Sequence, residues 1–140
     1  MKMEENITIL KNRNTALKAV SIALVGSMVF FGSKAAYHHF KLKDIQSDKS
    51  ALLALYESET PDTLKYFREK ATPSEQQQYD ELLKKEKETK EKKKENIYNS
   101  ASSLAFLGLS GYARLINEDI IDREKKRIER EKEKDGDREK

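Results

Sequence analysis

Ala19-Val20-Ser21-Ile22-Ala23-Leu24-Val25-Gly26-Ser27-Met28-Val29-Phe30-Phe31-Gly32-Ser33 is a run of 15 uncharged residues closed by Lys18 on one side and Lys34 on the other. Ala35, Ala36 and Tyr37 prolong it beyond Lys34. A helix from about Ala16 to Tyr37 would be roughly 33 Å long, enough for the hydrocarbon layer if both lysines extend their ammonium groups outward. The charge-free part alone is only about 22 Å, which calls for such snorkelling or a thin bilayer. Tyr37, His38 and His39 then fall at headgroup level.

A second window, Asn96 to Ala113, holds 18 uncharged residues between Glu95 and Arg114. It is more polar: Asn96, Asn99, Ser100, Ser102, Ser103 and Ser110 interrupt Ile97, Tyr98, Leu104, Phe106, Leu107 and Leu109. Extended to Ile116 it is long enough to span; its polarity also suits a helix lying in the interface or packed on the first. Gly26, Gly32, Gly108 and Gly111, four of the five glycines, lie in these windows, a placement that membrane helices tolerate and soluble ones avoid.

Elsewhere the chain is charged. Hydrophobic types make up 36% of the 140 residues and charged types 38%, a balance that alone describes a solvated protein. The net charge of +3 is the remainder of 28 basic and 25 acidic side chains, so no basic field draws nucleic acid. Seven lysines between Lys84 and Lys94 are interleaved with Glu86, Glu88 and Glu91. The acids repel phosphates and no aromatic stands among the lysines to stack on bases. This stretch therefore reads as a solvated helix face or a contact for anionic lipid.

The connector from Lys41 to Glu95 carries helix punctuation. Ala51 to Tyr56 has the apolar density of a short helix. Thr60-Pro61 reads as an N-cap and first-turn proline opening a helix from Asp62 to Lys70. Thr72-Pro73-Ser74-Glu75 has the spacing of a capping box, and no proline or glycine follows until Gly108. Acid-before-base pairs four apart, such as Asp80 with Lys84 and Glu86 with Lys90, support a rigid spacer there. The acids Glu4 and Glu5 argue against a mitochondrial presequence, and Lys34 beside Ala35 argues against signal cleavage.

The expected fold is all-α: a two-helix transmembrane hairpin with a charged, helical extramembrane connector and C-terminal tail. Its segments are a charged start at 1–15, a first span at 16–37, a connector of three helices at 38–95, a transmembrane or interfacial helix at 96–116, and a charged helical tail at 117–140 with a frayed end. Ala19, Ala23 and Ser27, and likewise Ala101, Ala105 and Gly108, form small-residue stripes suited to close helix packing in a membrane. Leu52, Leu55, Tyr56, Leu64, Phe67, Tyr79, Leu82 and Leu83 make either one small extramembrane core or a face for docking a partner, with too few large residues for a robust free-standing domain.

No catalytic, cofactor or metal site is expected. Cysteine is absent, which removes thiolate ligands and cysteine nucleophiles. His38 and His39 are adjacent, so on a helix they diverge by about 100 degrees and cannot form a same-face ligand pair. Glu57, Glu59 and Asp62 sit where helix dipoles attract acids. Gly108-Leu109-Ser110-Gly111 lacks the lysine of a phosphate loop.

The expected partners are membrane lipid and other membrane-protein subunits or a second copy, with no nucleic acid or small-molecule substrate. The primary expectation is a structural, anchoring or assembly factor for a membrane complex, in the mitochondrial inner membrane or another thin organellar or bacterial bilayer. The alternatives are a pore-forming, permeability-altering protein and a soluble helical binding protein whose windows form a buried hairpin. Bases flank both windows on both sides, so the positive-inside asymmetry nearly cancels and leaves the orientation open.

Overall fold

The computed structural model describes residues 2–56 and 62–138. Those residues form three helices and no strand: α1 (Lys2–Ala54), α2 (Thr63–Lys70) and α3 (Pro73–Arg138). α1 absorbs the charged start, the first apolar window and the beginning of the connector into one helix of 53 residues. The segment expected as a separate helix, Ala51 to Tyr56, is its end, closed by a tight turn in which Tyr56 N donates to Leu53 O at 2.9 Å. Nothing upstream interrupts it, because the first proline of the chain is Pro61 and no glycine within it takes a positive φ.

Burial along both long helices recurs with alternating steps of three and four residues, the 3.5-residue period of a coiled-coil seam. The chain divides into two compact units, one made of Met1–Met28 and Ala101–Lys140, the other of Val29–Ser100. In the first, α1 turns Ile7, Leu10, Asn14, Leu17, Ser21 and Leu24 inward, buried or half-buried. From α3, Ser103, Leu107, Ser110, Arg114, Asn117 and Ile121 face them at the same spacing. The strands of this seam run antiparallel: Asn14 pairs with Asn117, Ser21 with Ser110, Ser27 with Ser103.

In the second unit the period continues through Phe31, Ala35, His38, Leu42, Ile45 and Leu52 on α1. Opposite lie Leu82, Glu86, Thr89, Lys93, Asn96 and Ser100 of α3. Here α2 closes a small aromatic core. Phe67 is fully buried and its ring lies 5.2 Å from that of Tyr56 and 5.2 Å from that of Tyr79, with Leu52, Leu53 and Ala71 around it.

Local chemistry places α2 there. Its N-cap is Asp62, whose carboxylate accepts from Lys65 N at 3.1 Å; the expected cap, Thr60, lies outside the described residues, as do Pro61, Glu57 and Glu59. At its far end Ala71 is extended and donates its N–H to Phe67 O, while the Gln76 amide donates to Arg68 O and Ala71 O at 3.1 and 3.0 Å, satisfying carbonyls that the helix end leaves open. Thr72 and Glu75 form the capping box in both directions: Thr72 N donates to Glu75 Oε2 at 2.8 Å and Glu75 N to Thr72 Oγ1 at 3.3 Å. The same carboxylate accepts from Tyr56 OH, which ties the cap of α3 to the end of α1. Hydrogen bonds from Thr72 first, and then from Tyr56, hold the Glu75 carboxyl below its ordinary range.

Phe67→Ala removes the one large side chain that is fully buried among the described residues and is expected to cost about 3 kcal/mol. Limited trypsin digestion of the full chain checks it: cleavage at Lys65, Arg68 and Lys70 accelerates in the variant, while cleavage in α1 between Lys2 and Lys18 keeps its rate.

Candidate membrane-facing surface

The first unit has its chemistry turned inside out relative to a water-soluble helix pair. Its seam is polar. Ser21 and Ser110 hydroxyls share a hydrogen bond of 2.8 Å, Ser27 and Ser103 one of 2.9 Å, and Asn117 Nδ2 donates to Asn14 Oδ1 at 3.0 Å. Leu17 O lies 2.8 Å from Ser21 Oγ and Leu107 O 3.0 Å from Ser110 Oγ; with one proton on each hydroxyl, one serine donates to its own backbone carbonyl and accepts from the other, which donates across the seam.

Its outer faces are apolar. On α1, Val20, Ile22 and Val25 are exposed, Ile22 to 75%. On α3, Leu104, Phe106, Leu109, Tyr112, Leu115 and Ile116 are exposed, Leu109 to 63%. Among the described residues α1 is the one helix with a stretch long and apolar enough to cross a membrane, with a mean hydropathy of 1.7 over its best 18 residues and none of that window buried. Two helices side by side cover only one stripe of each, and here the covered stripe is the serine-bearing one.

The small-residue stripes divide. Ser27 lies in the seam, while Ala19, Ala23, Ala101, Ala105 and Gly108 are exposed on the outside. They do not hold α1 to α3. The docking set divides too. Leu52, Tyr56, Phe67 and Tyr79 pack on one another in the aromatic core, Leu82 is half-buried, and Leu55, Leu64 and Leu83 remain exposed. The first four thus belong to one small internal core.

In the second unit, Glu86 lies in the seam with its side chain 11% exposed. Its carboxylate takes Lys49 Nζ on Oε2 and Lys90 Nζ on Oε1, at 2.5 and 2.6 Å. These two hydrogen bonds, Lys49's first, hold its carboxyl at about 2, below the ordinary 4.5. His38 lies half-buried in the seam and His39 faces out, where Lys93 Nζ approaches its Nδ1 at 3.1 Å. Among the described residues no group of three or more ligating side chains converges on a point that a metal ion would occupy. The seam itself is what sequence reading missed: its period was present, but half its positions are Asn, Ser, Lys, Glu or His. The signal that finds it is the seven-residue recurrence of Asn96, Ser103, Ser110 and Asn117.

No protein-family model matches the chain, and comparison with curated proteins and with solved structures returned no match.

Because the carboxyl of Glu86 is depressed in the fold, its contribution to stability is complete above about pH 4.5 and is lost as pH falls through about 2. Thermal melts of the full chain in mild detergent across that interval are expected to show a falling midpoint, and Glu86→Gln to flatten that fall. Lys49→Ala with Glu86→Ala in a double-mutant cycle is expected to give a coupling of about 1 kcal/mol.

Proposed function

We propose that this chain is a small, non-catalytic integral membrane protein that anchors or scaffolds a multi-subunit membrane complex. The observation that carries the reading is the polar seam inside an apolar exterior. In water such an arrangement exposes the surface that the hydrophobic effect would bury. In lipid it is the favourable one: tails solvate the outer aliphatic and aromatic side chains, and hydroxyls and amides find their partners across the helix pair. α1 enters by its own hydropathy. The more polar Asn96–Ile116 segment of α3 enters with it as a hairpin, because Ser103 and Ser110 are bonded to serines of α1.

The same serine pairs favour anchoring over pore formation. Four hydroxyls able to line a water path are bonded to one another instead. The partners are lipid and either other membrane subunits or a second copy of the chain, met along the outward small-residue rows at Ala19 and Ala23 and at Ala101 and Ala105. The short charge-free length fits the mitochondrial inner membrane or another thin bilayer.

Alkaline carbonate extraction of native membranes, with cross-linking of the retained protein, tests this. Retention in the pellet and cross-links to other membrane subunits or a second copy are the expected results. Recovery in the supernatant overturns the membrane reading, and a lone monomer in mild detergent whose removal alters no complex overturns the scaffold. Ile22→Arg sharpens the test: a charge facing mid-bilayer is expected to cost about 3 kcal/mol of insertion and to shift protein into the supernatant, whereas on a water-exposed face it changes nothing.

A further inference from the structure

Within the Val29–Ser100 unit, one side of the α1–α3 pair opens into a groove of about 430 Å³. Its polar lining is one-signed: Lys43, Lys90, Lys93 and Lys94 with His39, and no carboxylate. Leu42 and Ile97 give it an apolar wall. Lys93 donates to His39 Nδ1 at 3.1 Å, the ammonium having only donors, which holds one amine at the groove. Lys90 is shared with Glu86 at 2.6 Å. Lys43 and Lys94 are exposed, and among the described residues neither is held in an ion pair.

The immediate surroundings are those of a membrane boundary. Tyr37, Phe40, Ile97 and Tyr98 are exposed in the same unit, and Lys34 lies over the Phe30 ring at 4.5 Å, its stem folded along apolar surface as a snorkelling lysine requires. On the membrane reading, α1 leaves the hydrocarbon near Tyr37, which sets His39 and Lys43 at headgroup depth and Ile97 beside the upper acyl chains.

We propose that this groove binds the phosphate of an anionic phospholipid, with Lys43, Lys93 and Lys94 as its cationic contacts and Leu42 and Ile97 against the glycerol and first acyl carbons. The site rests on the membrane reading above. A lining without a carboxylate, in which only Lys90 is paired with an acid, distinguishes it from the rest of the lysine-glutamate stretch, whose charges alternate. The apolar wall distinguishes a lipid from a free anion, which would leave the half-exposed Ile97 side chain uncovered beside it.

The test uses the full chain in mild detergent, titrated with phosphatidylglycerol or phosphatidylcholine and read by native mass spectrometry, alongside flotation with phosphatidylcholine vesicles. Phosphatidylglycerol is expected to be retained at least about fivefold more tightly than phosphatidylcholine, and Lys43→Ala and Lys94→Ala each to weaken it about fivefold. Lys125→Ala and Lys132→Ala in the C-terminal tail, with helicity checked by circular dichroism in all four, are expected to leave it unchanged. Equal retention of the two lipids, or a preference that survives both groove variants, overturns the site. Displacement by inorganic phosphate overturns the lipid assignment in favour of a free anion. A chain that floats with phosphatidylcholine but shows no headgroup preference defeats this proposal alone; one that does not float defeats the membrane reading with it.

Discussion

The Ser21–Ser110, Ser27–Ser103 and Asn14–Asn117 pairs are the constraint from which the first unit follows. A helix pair can cover only one stripe on each partner, and the groups placed there decide what remains outside. With hydroxyls and amides in that stripe, Val20, Ile22 and Val25 of α1 and Leu104, Phe106, Leu109 and Leu115 of α3 lie on the outer faces. Bonds of this kind contribute modestly, about 1 kcal/mol each in lipid, yet their alternative is a hydroxyl or an amide unpaired in hydrocarbon. They select the facing more than they supply the affinity.

The second unit is held by different means. There the seam carries Leu42, Ile45 and Leu52 as well as the Lys49–Glu86–Lys90 cluster, and the aromatic triad of Tyr56, Phe67 and Tyr79 lies against α2. Glu75 serves both as the capping residue of α3 and as the acceptor for Tyr56. One carboxylate thereby couples a local helix start to the packing of an aromatic ring, so cap and core form together.

Much of the helical architecture was legible from the residues. The proline and cap signals at 60–62 and 72–75 place the breaks between helices to within two residues, because capping chemistry is local and depends on few atoms. The end of α1 was less legible: the polar Ser47-Asp48-Lys49-Ser50 ahead of the expected helix at Ala51 lies inside α1, where Lys49 meets Glu86 across the seam. The seam escaped a reading for hydrophobic periodicity because Asn14, Ser21, His38 and Lys49 occupy positions where such a reading looks for leucine. The small-residue rows at Ala19 and Ala101 are easier to see in the sequence than the serines beside them, which bond across the long helices.

The spacing of those serines has a consequence for alignment. On α3, Ser103, Ser110 and Asn117 recur every seven residues; on α1, Asn14 and Ser21 do the same. Sliding one helix past the other by a whole heptad within this unit would set Ser21 opposite Ser103 and Asn14 opposite Ser110, but it would take Ser103 from Ser27, six residues after Ser21, and leave Asn117 opposite Ile7. A slip of a single residue would turn every hydroxyl away by about 100 degrees. The off-period Ser27 thus makes the seam strict about how far along the helices meet as well as about which faces meet.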